Sequence, residues 1–179
     1  MTKGKKLAKP KKVEVMEVSI PTINFTKKAK KAVMPAKAHD TDAGFDLVAV
    51  SKTVTDDYIE YETGIAVAIP KGYAGFLFPR SSVSKYDLIL ANCVGVIDTD
   101  YRGTIKVRFK RTREPWIFKK VKGWLGTTVT ITDREYKEYN AGDKIAQLVI
   151  LPIPQFSFTE VKDLDSTDRG DGGFGSTGN

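Results

Sequence analysis

The densest group of reactive side chains lies in one short stretch, Gly95–Gly103, which reads GVIDTDYRG. Asp98 and Asp100 stand two apart, Tyr101 and Arg102 follow, and a glycine closes each end. Carboxylates can move protons, and an aromatic ring buries little at a loop tip unless something packs against it. On either side lie Leu88-Ile89-Leu90 and Thr104–Phe109, where Ile105, Val107 and Phe109 alternate with Lys106 and Arg108. Alternation at period two marks a strand with one buried face. The stretch is therefore expected to be a hairpin between two strands. Asp is disfavoured in strands, so such a tip is a poor choice for stability alone. A solvated turn, where Asp and Gly are common, is the alternative reading.

Other segments carry chemistry as well. Gly72–Phe78 reads as a strand and runs into Pro79-Arg80-Ser81-Ser82. A guanidinium fork, two hydroxyls and free backbone N–H groups at a strand end suit a phosphate, although Ser-rich turns also serve as helix caps. A single helical turn is expected at Val83–Tyr86. Asp46 sits between Phe45 and Leu47, both expected to be buried, and a carboxylate there needs a partner or a task. Gln147 interrupts the apolar run of Ala141–Leu151, and a buried amide needs partners. Arg169–Asn179 holds five glycines in eleven residues and cannot stay folded alone. It reads either as a frayed end or as a lid over a phosphate-bearing ligand.

The elements that must position these residues are β-strands. Val13–Phe25 alternates loosely and is expected to be the first. Ile59–Pro70 follows with a break at Gly64, Thr127–Thr132 is β-rich, and Gly142-Asp143 signals a turn. Eight or more short strands with Gly and Pro turns and little helical periodicity predict an all-β sandwich or barrel of jelly-roll type.

Composition excludes several classes. The 179 residues suit one domain. Cys93 is the single cysteine and His39 the single histidine. No internal disulfide is possible, a reducing, cytoplasmic setting is expected, and a His-rich metal site or Ser/His/Asp triad lacks material. No apolar run approaches the length of a transmembrane helix, so no membrane partner is expected. The net charge of +7 is local. Residues 1–40 hold 11 Lys against 3 acids, leaving 18 basic and 19 acidic side chains in the rest. Residues 1–12 are expected to be a disordered basic arm. The near-neutral remainder does not look like a nucleic-acid surface.

Five segments, AGFDL (43–47), PRSS (79–82), NCVGVIDTDYRG (92–103), AGDKIAQL (141–148) and RGDGGFGSTG (169–178), occur in the order of the five motifs of the homotrimeric dUTP diphosphatases, the dUTPases. From about residue 40 onward the chain resembles that family. The resemblance implies a jelly-roll-type β-barrel and three subunits sharing three active sites. It implies hydrolysis of dUTP to dUMP and pyrophosphate with Mg²⁺. By the same resemblance Asp98 activates the attacking water, Tyr101 packs under the deoxyribose and Asn92 reads the uracil edge. Val96, Ile97, Asp98 and Lys106 contact the nucleoside largely through backbone. Arg80, Ser81 and Ser82 form the phosphate turn, with Arg80 also near the catalytic carboxylate. Asp46 meets metal-bound water, and Gln147 makes a polar contact near the phosphates. Arg169, Phe174, Gly175, Ser176 and Thr177 belong to the arm that closes over the nucleotide.

The implied organisation is a basic arm at 1–12, a barrel over 13–168 and a closing arm at 169–179. The chain departs from the family pattern in four places. Phe45 stands where Tyr is common, and Ser82 where Gly is common. The stretch around 111–140 is longer than expected, and the basic arm lies outside the family core. Insertion and arm are the places where a regulatory protein or nucleic acid would make contact. The related dCTP deaminases share the Arg-Ser-Ser turn, but their catalytic Glu falls at Arg108, and arginine cannot serve as that base.

Overall fold

The alternation on either side of the acidic stretch is realised as two paired strands. The structure, a computed structural model, describes residues 20–113, 116–123, 126–133 and 135–173, with backbone alone for 116–133. In order come β1 (Asn24–Lys27), β2 (Phe45–Val48), β3 (Ser51–Val54), β4 (Ile59–Glu62), β5 (Ile65–Ala68) and β6 (Tyr73–Pro79). A 3₁₀ turn, Ser81–Lys85, leads to β7 (Leu88–Leu90), β8 (Gly95–Ile97), β9 (Lys106–Arg111), β10 (Trp116–Gly123), β11 (Gly126–Asp133) and β12 (Lys144–Pro152). No α-helix occurs among the described residues, so no helix there is long and apolar enough to cross a membrane.

Two four-stranded antiparallel sheets, β2-β12-β6-β8 and β3-β4-β9-β7, carry the jelly roll. The order is non-sequential, so successive strands repeatedly cross from one sheet to the other. Gly64 makes a further crossing, from the second of these sheets into a separate two-stranded one. Its φ of +65° is open to glycine at no steric cost, and a Cβ there would meet the Ala29 Cβ at 2.7 Å. It separates β4 from β5, which pairs with β1. The break read at Gly64 is therefore a change of sheet.

The buried faces follow the alternation. Ile105, Val107 and Phe109 are at most 2% exposed, while Lys106 and Arg108 face solvent. One core cluster gathers Ile59, Tyr61, Leu90, Phe109, Tyr139 and Ile145. The other gathers Leu47, Ile65, Val67, Leu77, Ile97 and Leu148.

Several expectations need correction. β7 and β9 do pair, with Leu90 opposite Phe109, but Gly95–Gly103 is not a plain hairpin tip. Its first three residues form β8, which joins the other sheet beside β6, with Gly95 opposite Leu77. The reason is close packing. A Cβ on Gly75 would lie 2.9 Å from Ile69 Cδ1, and one on Gly95 would lie 3.1 Å from Leu77 Cβ. Two side-chain-free positions let the backbones approach, and Ile97 gains a core site. The first described strand starts at Asn24, and residues 13–19 of the expected strand lie outside the described residues. The helical turn begins at Ser81 rather than Val83 and is 3₁₀. Phe45 is half-buried, with the Lys37 ammonium 5.1 Å from its ring centroid.

The long segment after β9 divides in two. β10 and β11 pair only with each other among the described residues, from Trp116 opposite Asp133 to Gly123 opposite Gly126. Residues 136–140 return to the barrel. Glu138 holds Arg111 at 2.8 Å and Lys52 at 3.3 Å, and Tyr139 is 1% exposed. Among the described residues, 116–123 and 126–133 thus pair outside the two barrel sheets.

Candidate active site

Crossing between sheets leaves a cavity of about 530 Å³ beside the acidic stretch. Asn92, Val96, Ile97, Asp98, Tyr101 and Lys106 all line it, joined by Tyr58 and Arg108. Val96 is 60% exposed and Ile97 5%, so Ile97 can offer the cavity little but backbone. Asp98 is exposed, and its carbonyl accepts from the Tyr101 N–H at 3.2 Å. That turn brings the carboxylate and the ring to one mouth. Tyr101 is fixed on its other side. Its hydroxyl donates to the Thr104 carbonyl at 3.0 Å, and the ring covers Gly103 so closely that any Cβ there would overlap it. Cys93, next to Asn92, adopts a φ of 60°, a left-handed conformation uncommon for a non-glycine residue.

The Lys106 ammonium is engaged by two carboxylates of β4. Its Nζ lies 2.8 Å from Glu60 Oε1 and 3.8 Å from Glu62 Oε2. Arg108 grips the other oxygen of Glu60 through Nε and Nη2, both at 2.8 Å, and its guanidinium lies 4.4 Å from the Tyr58 ring centroid. Hydrogen bonds from Lys106 and then Arg108 hold the Glu60 carboxyl below its ordinary range, against the opposing effect of burial. A nucleoside contact at Lys106 therefore falls to its backbone, and β9 is clamped to β4 along one wall of the cavity.

The phosphate-type residues form a second group. Arg80 and Ser82 line a separate cleft of about 490 Å³ with Lys85, Tyr86, Lys137, Asp143 and Lys144. The two cavities share no lining residue, so Arg80 and Asp98 occupy different sites within one chain. Ser81 is exposed at the start of the 3₁₀ turn, and its carbonyl accepts from the Ser84 hydroxyl at 3.0 Å. Asp46 has the partners that its position demanded. Arg80 Nε lies 2.9 Å from Oδ1 and Lys144 Nζ 2.8 Å from Oδ2. Gln147, opposite Asp46 on β2 and Phe78 on β6, is half-buried against Gly44. With four cations against Asp143 and the engaged Asp46, the cleft is electropositive.

Sequence reading singled out neither Lys144 nor Tyr58. Lys144 stands inside the AGDKIAQL segment, where its spacing from Asp46 carries no pairing signal. The arm's first residues curl on themselves, with Arg169 Nε donating to the Gly172 carbonyl at 2.9 Å. Phe174, Gly175, Ser176 and Thr177 lie outside the described residues.

Known proteins match this arrangement. The dUTPase family model matches residues 30–120 and 114–178. The deoxyuridine 5'-triphosphate nucleotidohydrolase of Cutibacterium acnes is 37% identical over 165 residues, covering 90% of this chain and 93% of that one. That of Thermobifida fusca is 40% identical over 148 residues, covering 81% and 72%. The Staphylococcus bacteriophage 80alpha dUTPase with dUPNHPP superposes with a TM-score of 0.73 at 31% identity, covering 89% of this chain and 99% of that one. A mutant dUTPase from phage phi11 of S. aureus, described as coordinating a structural Mg(II) ion, gives a TM-score of 0.60 at 30% identity, covering 80% and 98%. The chain is thus similar to these proteins in sequence and in fold over most of its length, and it belongs to the dUTPase family.

Proposed function

We propose that the chain hydrolyses dUTP to dUMP and pyrophosphate, with Asp98 as the general base. The carrying observation is the cavity that gathers Asn92, Asp98 and Tyr101 beside β8 and β9. Asp98, exposed at its mouth, takes a proton from the water that attacks the α-phosphorus. Asn92 reads the uracil edge, and Tyr101, pinned over Gly103, supports the deoxyribose. Arg80 meets the charge that develops on the phosphate oxygens, and holding both ends of the nucleotide sets attack in line with the leaving pyrophosphate. Such hydrolysis keeps uracil out of DNA and supplies dUMP. The chain's single free cysteine suits the reducing cytoplasm, of a host cell if the source is viral.

Magnesium fits these residues as an ion carried on the triphosphate. No cluster of three His, Cys, Asp or Glu exists among the described residues, and each Asp46 oxygen already faces a cation. Asp46 would reach the ion through its bound water, and bound Mg²⁺ would neutralise phosphate charge.

Pyrophosphate release measured across dUTP, dCTP, dTTP and UTP tests the activity. The expected preference for dUTP in kcat/KM is at least about a hundredfold, the scale on which hydrogen-bonded recognition rejects wrong partners. Equal rates on all four, or none on dUTP, overturn the reading. Arg108, locked to Glu60, cannot act as a deaminating base, so dCTP should yield no ammonia.

A homotrimer with shared active sites is the reading supported by the placement of Arg80 and Asp98 at different cavities of one chain. Ile153–Leu164 supports it too, with Phe156, Phe158 and Leu164 85%, 103% and 86% exposed. Apolar surface of that kind marks a site of association. Light scattering at micromolar concentration should give three times the chain mass of 19.8 kDa; a monomer mass rules this out.

A further inference from the structure

Tyr139 forms the floor beneath the Arg-Ser turn. It is 1% exposed, and its ring packs on Tyr86 with centroids 4.0 Å apart, and against Phe109 at 5.6 Å. Tyr86 and Ser82 both line the electropositive cleft above. The Tyr139 hydroxyl is the one buried side-chain polar atom without a hydrogen-bond partner among the described residues. Burial raises the phenol's pKa, and the Ser82 hydroxyl lies near enough to lower it in part, yet the Tyr139 hydroxyl meets full hydrogen-bond geometry with no partner among the described residues. Buried hydroxyls are seldom left unpaired, because the desolvation penalty is then uncompensated.

The chemistry of Ser82 explains what such an orphan can do. A serine hydroxyl has one hydrogen to donate and two lone pairs to accept with. Arg80 Nη1 already approaches the Ser82 oxygen at 3.5 Å, and arginine only donates. A donation from Tyr139 would occupy the remaining lone pair. Ser82 would then have only its own hydrogen to offer, directed into the cleft, where phosphate oxygens only accept.

We propose that Tyr139 is a positioning residue of the triphosphate site: its buried O–H donates to Ser82 Oγ when the nucleotide binds and turns the Ser82 hydrogen toward a phosphate oxygen. The inference rests on the dUTP reading above. Burial pushes the Tyr139 phenol upward, against smaller opposing effects of Ser82 and Arg80, so it remains a donor at neutral pH. Ser82 stands where the resemblance has glycine, and Tyr139 lies outside the five motifs.

Tyr139→Phe, Ser82→Ala and the double variant test the coupling. KM and kcat are read on dUTP, and Kd on a non-hydrolysable dUTP analogue. Tyr139→Phe keeps the ring packing and removes an unpaired polar group, so its Tm should not fall. Its KM and Kd should rise about threefold to tenfold, the scale of one lost hydrogen bond, with kcat little changed. Ser82→Ala should show a similar rise, and the double variant should be no weaker than Ser82→Ala. Unchanged affinity in Tyr139→Phe, or an equal further loss in the Ser82→Ala background, overturns the inference. A wild-type chain that binds the analogue without turning over dUTP refutes the hydrolase reading while the cycle still decides the coupling. One that does neither overturns both.

Discussion

Asp98→Asn is expected to lower kcat on dUTP by at least about a hundredfold, the lower end for loss of a general base, while the analogue binds nearly as well as to wild type. The carboxylate is exposed and makes no ion pair among the described residues. Its contribution to folding should therefore stay within about 0.5 kcal/mol, as for surface substitutions generally. Asparagine keeps the shape and the backbone contact to Tyr101 but cannot take a proton. A fall in kcat with unchanged Tm and Kd separates a chemical role from a structural one. Turnover of the variant at the wild-type rate removes Asp98 from the mechanism.

Removing residues 169–179 is expected to abolish most activity with the barrel still folded and its oligomeric state unchanged by light scattering. Among the described residues, the hydrogen bonds of Arg169, Gly170 and Gly172 stay within their own turn, and Gly170 adopts a φ of +53°, so removing the arm takes no described hydrogen bond from the barrel. Free, a glycine-rich segment has high chain entropy; ordering it needs the ligand. Arg169, Ser176 and Thr177 would supply phosphate contacts and Phe174 a stacking contact. Stacking alone accounts for about 1–3 kcal/mol in comparable base–aromatic pairs. A loss of at least about tenfold in kcat/KM is therefore expected. Phe174→Ala should lose part of it and Phe174→Trp keep much, with indole fluorescence reporting closure on the analogue. Full activity in the truncated chain would make the arm a frayed end.

Short-range features are legible in the amino-acid sequence alone. Alternation places Ile105, Val107 and Phe109 in the core and Lys106 and Arg108 outside, because side-chain direction in a strand depends only on parity. Gly64 and Gly142, at φ +65° and +96°, mark turns because a glycine has no Cβ to forbid them. The five segments identify the family, and most of the reactive residues they carry within the barrel lie at the two cavities. What the sequence by itself could not determine depends on partners distant along the chain. That β8 leaves the β7–β9 pair to join β6 rests on Gly75, Gly95 and Leu77 fitting together, and register across sheets leaves no local trace. Asp46 is neutralised by Arg80 and Lys144, residues 34 and 98 positions away along the chain. Tyr139 falls within the long stretch around 111–140, where Tyr136 and Tyr139 among lysines and glutamates show no strand alternation; packing against Tyr86 and Phe109 buries it. Tertiary structure likewise places Asp98 and Arg80 at two cavities that share no lining residue.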